Sequence, residues 1–127
     1  MKLRIKGNSL RLRLLQSEVK RLEAAGTITE VTRFGIRTDQ TLKYSIAVSD
    51  GVDELSVEFS DNQILVLLPE TDVLEWCRSN EDGIENNIEI DGETTLNVLI
   101  EKDFACVGRP DDPDRADAFP HPAESIL

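Results

Sequence analysis

Apolar residues near the start of the chain alternate with cations, and the alternation changes parity part-way along. Leu3 and Ile5 stand at odd positions, Leu10, Leu12 and Leu14 at even ones, with Gly7-Asn8-Ser9 between them. A two-residue Gly7-Asn8 turn of type I′ or II′ produces that flip. Ile5 is then opposite Leu10 and Leu3 opposite Leu12 on one face, with Arg4 opposite Arg11 and Lys2 opposite Arg13 on the other. A bulge in a single strand would give the same parity. The same logic recurs further on. Asp61-Asn62 joins Glu54–Ser60 to Gln63–Leu68 and sets Phe59 against Ile64 and Val57 against Val66. Asp91-Gly92-Glu93 joins Ile84–Ile90 to Thr94–Glu101, with Gly92 the natural place for a positive φ. Its polar face carries Glu85, Asn87, Glu89, Asn97, Glu101 and Asp103.

Between the hairpins the period changes from two to nearly four. Leu15, Val19 and Leu22 mark a helix over about Gln16–Ala25, closed by Gly26. Thr27–Phe34 and Thr41–Ser49 read as strands, the second strictly alternating. Ile64 to Leu68 is apolar at every position, the pattern of a central strand covered on both faces. A second helix begins near Pro69, with Glu70 and Asp72 in its first turn and Val73, Trp76 and Cys77 on its buried seam. The expected fold class is α+β: about eight mostly antiparallel, hairpin-linked strands and two short helices, as a curved sheet or barrel-like body. The domain spans 1–105. Residues 106–127, rich in Pro and Asp and without periodicity, form an extended tail laid across the body through Phe104 and Phe119. Helix-then-hairpin occurs twice, without a repeat visible in the sequence itself.

The net charge of −11 is unevenly spread. Up to Arg37 there are nine Lys/Arg against three Asp/Glu, and beyond it five against 22. Such asymmetry points to electrostatic pairing, inside the fold or with a partner. No run approaches the roughly 18 apolar residues of a membrane span, and the basic start is not followed by the apolar stretch of a secretory signal. A cytoplasmic location is therefore expected. Cys77 and Cys106 lack metal or redox spacing and read as ordinary thiols.

Three segments carry a resemblance. IKGNSLRLRLLQSEV (Ile5–Val19) resembles the opening of a bacterial domain family of unknown function. EKDFACV (Glu101–Val107) and DAFPHP (Asp117–Pro122) resemble its closing motifs. Leu15 stands where that pattern has a Thr, which with Glu18 would form a capping box. The resemblance implies a shared fold and no particular chemistry. It directs attention to the basic hairpin and to the EKDFAC segment.

Those are the two candidate surfaces. Lys2, Arg4, Lys6, Arg11 and Arg13 form an anion- or partner-binding face, and like charges opposite one another on paired strands call for something nearby to offset them. Glu85, Glu89, Glu101 and Asp103 form an acidic face that could supply it. The expected function is a non-catalytic binding or accessory role, for an anionic small molecule or a basic protein. Nucleic acid is disfavoured by the missing aromatics and the acidic remainder. The alternative is a metal-dependent phosphate-processing enzyme similar to the triphosphate tunnel type, with both charged faces inside a closed barrel. The first strand lacks the alternating glutamates of such enzymes. No catalytic residue, cofactor or metal is expected. Cys106, Asp111, Asp112, Asp114, Asp117 and His121 have neither the glycine and twelfth-position Glu of a calcium loop nor the paired ligands of a zinc site.

Overall fold

A computed structural model describes residues 1–80, 82–104 and 116–120 of the chain. It contains eight strands and two α-helices: β1 (Lys2–Lys6), β2 (Ser9–Leu14), α1 (Gln16–Ala25), β3 (Thr27–Arg33), β4 (Thr41–Ser49), β5 (Ser56–Ser60), β6 (Gln63–Pro69), α2 (Glu70–Arg78), β7 (Gly83–Glu89) and β8 (Thr95–Lys102). The fold is α+β. The strands make two open four-stranded sheets rather than a closed barrel. A terminal sheet runs β1-β2-β8-β7 and a central sheet runs β3-β4-β6-β5.

Each sheet consists of two antiparallel hairpins joined through one parallel pair, β2 with β8 and β4 with β6. The hairpin registers follow from the alternation. Ile5 faces Leu10 and Arg4 faces Arg11, Phe59 faces Ile64, and Ile88 faces Leu96. Gly7 takes φ +55 while Asn8 stays in the ordinary range, the pattern of a type II′ turn. Asp61 and Asn62 both take positive φ, the type I′ pattern.

Two details differ from the sequence reading. Gly92 does not adopt a positive φ. Its loop is shaped instead by the Asp91 carboxylate, which accepts from the backbone N–H groups of Glu93 and Thr94, both at 2.8 Å. On β6, Ile64, Val66 and Leu68 are buried whereas Leu65 and Leu67 are half-buried. Only one face of this inner strand looks into the core, which Val19 and Leu22 of α1 and Val73 and Trp76 of α2 also enter.

One core serves both sheets. Leu10, Leu12 and Leu14 of β2 and Val98 and Ile100 of β8 join Ile28, Ile46, Val66 and Leu68 of the central sheet, with Val19, Leu22, Val73 and Trp76 from the helices. Each such side chain contributes roughly 1.5–3 kcal/mol by leaving water.

The order of elements reveals a duplication. β1-β2-α1-β3-β4 and β5-β6-α2-β7-β8 are the same hairpin–helix–hairpin unit, and the second hairpin of each unit pairs in parallel with the first hairpin of the other. At one constant offset Leu3 corresponds to Val57, Leu14 to Leu68, Val19 to Val73 and Leu22 to Trp76. The two halves share apolar positions and the two-residue turn of their first hairpins and little else.

Candidate functional site

The outer face of the terminal sheet gathers all five predicted cations. Because β2 lies parallel to β8, Arg13 is beside Glu101 and Arg11 beside Leu99. Glu101 reaches both guanidiniums, with its Oε1 2.5 Å from Arg13 Nε and 3.7 Å from Arg11 Nε. Lys2 Nζ lies 3.0 Å from Asp103 Oδ2. Part of the basic face is thus matched by the protein's own carboxylates, Glu101 and Asp103. Glu85 and Glu89 are not part of that match. They ride on β7, beyond β8, where Glu85 accepts from Asn97 Nδ2 at 3.4 Å and Glu89 stands opposite Thr95.

The match stops short of the turn. Arg4 and Lys6, on the exposed edge strand, make no ion pair or side-chain hydrogen bond among the described residues. With Arg11 and Ser9 they line a shallow cavity of about 200 Å³. Ser9 was not singled out by the sequence. Its hydroxyl accompanies the cations because the parity flip puts positions 9, 11 and 13 on the face of 2, 4 and 6.

The three motif segments meet at the other end of the same sheet. Leu14 O accepts from Asp103 N at 2.8 Å, and Asp103 O accepts from Phe119 N at 2.8 Å. Phe104 and Phe119 pair as an isolated bridge, their rings 6.1 Å apart. Lys102, which the sequence did not mark, turns inward: its Nζ donates to Ser79 O at 2.9 Å and lies 5.4 Å from the Phe119 ring and 5.9 Å from the Trp76 ring. The described piece of the tail, 116–120, crosses the start of α1. Asp117 O accepts from Gln16 N at 2.9 Å, and its carboxylate accepts from Ser17 N at 3.0 Å and from the Ser17 hydroxyl. The Ser17 bonds hold the Asp117 carboxyl below the ordinary aspartate range.

That contact explains why Leu15 can occupy the cap position. Asp117 takes the first two N–H groups of the helix, Gln16 N and Ser17 N, from across the molecule, while Glu18 N, the group a boxed Thr would satisfy, bonds Leu15 O at 3.1 Å. Glu18 supplies the other half of the box, accepting from Leu15 N at 2.9 Å. Glu18 is only 6% exposed and also pairs with the Met1 α-ammonium, which lies 3.3 Å from Glu30.

The model of a family of unknown function, DUF7009, matches residues 1–123. The chain belongs to that family. No curated protein and no solved structure matches it. The family match spans all eight strands, both helices and the tail segment that caps α1. It therefore covers both the basic hairpin and the meeting point of the chain's two ends. Neither site shows a metal-ligand cluster among the described residues. Cys106, Asp111, Asp112, Asp114 and His121 lie outside the described residues.

Proposed function

We propose that this family member is a non-catalytic binding or accessory protein of the bacterial cytoplasm. It is a single α+β domain over residues 1–105 with a tail over 106–127. Its basic hairpin face takes a phosphate-bearing or similar anion. The observation that most supports this is the division of labour among the five cations. Lys2, Arg11 and Arg13 are satisfied by Asp103 and Glu101, whereas Arg4 and Lys6 face solvent around a cavity that Arg11 and Ser9 complete. Arg4 directly opposite Arg11 is unfavourable by a few tenths to about 1 kcal/mol. An anion bridging the two guanidiniums turns that repulsion into attraction, and the guanidinium fork suits phosphate oxygens. Glu85 and Glu89, on the same outer face but two strands away, leave room for a basic protein partner.

A triphosphate tunnel needs both charged faces inside a closed barrel. Here the sheets are open and the cations lie on the outer face, so no metal-dependent phosphate chemistry is derived from them. Nucleic acid remains disfavoured by the absence of stacking aromatics beside the cations and by the overall charge of −11.

Thermal unfolding at low ionic strength, with and without tripolyphosphate, tests the reading on wild type and on Arg4→Ala/Lys6→Ala. At about 100 times its dissociation constant a ligand adds about 2.7 kcal/mol, a rise in midpoint of about 5–15 °C for a domain this size. The rise should be present in wild type and absent from the double variant. A wild-type midpoint indifferent to tripolyphosphate would sink the anion site.

A further inference from the structure

A groove lies on another surface, where the carboxyl end of α1, the end of β4 and the start of α2 converge. It has a volume of about 460 Å³ and is lined by Glu23–Gly26, Val48–Asp50, Glu70, Val73 and Leu74. Its floor is apolar, made by Val48, Val73, Leu74 and the two alanines of α1. Its rim carries three carboxylates, Glu23, Asp50 and Glu70, and no Lys or Arg.

The field in this groove is negative for a second reason. A helix concentrates partial negative charge at its carbonyl end, and a cation in the last turn ordinarily balances it. α1 has no basic residue in its last turn. Glu70 sits in the first turn of α2, where its charge balances that helix's positive end. Glu23 and Asp50 therefore stand beside the α1 carbonyl end without a balancing charge on the rim. The Cys77 thiol is pushed up to about 11, by burial first and by Glu23 second.

Charge complementarity names the occupant. We infer that this groove docks a basic amphipathic segment of a partner protein, its aliphatic side chains on Val48, Val73 and Leu74 and its lysine or arginine heads at Glu23 and Asp50. Lysine and arginine suit such a place because their stems are apolar while their heads are charged. The assignment is independent of the anion site, which lies on the outer face of the terminal sheet.

The test follows backbone amide NMR signals of the full chain during titration with a short amphipathic leucine–lysine peptide at low salt. The peptide should shift the amides of Gly26, Ser49, Asp50 and Leu74. A leucine–glutamate peptide of the same length should not. Glu23→Gln/Asp50→Asn should weaken the affinity about tenfold, the scale expected when one or two charge contacts are lost. Leu74→Ser should weaken it through the floor instead, which keeps the test decisive if the charge variant misfolds. Arg4→Ala/Lys6→Ala should bind the peptide as wild type does. Shifts gathered at Glu85 and Glu89, or full affinity in both groove variants, would overturn the inference. So would agmatine binding as tightly as the peptide, since that would make the site one for a free amine.

Discussion

The terminal and central sheets are built from the same parts and differ in what they show to water. Each has two hairpins, one parallel seam and the same apolar positions turned inward. On the outer face of β2 stand Arg11 and Arg13, while their counterparts on β6 are Leu65 and Leu67. Beside them on β8 stand Leu99 and Glu101, where β4 has Ser45 and Ala47. The inward pattern is what a common backbone requires, so both halves keep it. The outward pattern is free to diverge, and it is there that one sheet carries a charged face at positions where the other has leucine or alanine. The lesson is to look for function where two equivalent positions disagree.

The comparison can be broken most severely in the core. Leu14→Ala and Leu68→Ala remove equivalent, fully buried side chains, and each should cost about 2–5 kcal/mol in denaturant unfolding. Costs that differ by the full width of that range would mean the halves do not share the core evenly. Next comes Glu101→Gln, which leaves Arg11 and Arg13 without their carboxylate and should cost about 1–2 kcal/mol. Counterpart Ala47 has no such role, so Ala47→Gln should be nearly neutral by the same measurement. Arg4→Ala/Lys6→Ala should change stability by less than about 0.5 kcal/mol while abolishing the tripolyphosphate effect. A large stability loss there would make those cations structural.

The smallest effect belongs to the tail and is lost in acid. Asp117 has a depressed pKa in the folded state. Its contribution is therefore present above the unfolded value of about 4 and lost as pH falls through the folded one. Comparing wild type with Asp117→Asn, the difference in melting midpoint should vanish on acidification and reappear towards neutrality. A difference constant across that range would show that the carboxylate charge does not matter.

The hairpins were legible because a period of two and a turn of known length leave one register. The cation face followed from the same arithmetic, whereas Glu101 was only one of four carboxylates on the acidic face that could meet it. Which hairpin lies beside which was not legible, since the parallel pairs β2–β8 and β4–β6 join strands far apart whose edges carry no local signal. The duplication showed in the sequence only as a helix-then-hairpin order that occurs twice, because Leu22 and Trp76 share a buried apolar place and no shape, and Arg4 and Glu58 share a place and no chemistry. Asp117 capping α1 was hidden in a segment without periodicity. Leu15 in the cap position was its only trace. The acidic groove had a trace too, in the missing cation at the end of α1.

The parallel seam between β2 and β8 has a consequence for how the chain matures. The central sheet is drawn from one unbroken stretch, Thr27 to Pro69, and can assemble as soon as that stretch has left the ribosome. The terminal sheet must wait, because β2 has no neighbour but β1 until the last hairpin is made. Closing so wide a loop is slow. During that interval Arg11 and Arg13 lack Glu101, and the inner leucines of β2 lack Val98 and Ile100. Until then the basic hairpin is thus more cationic and more adhesive than in the finished fold.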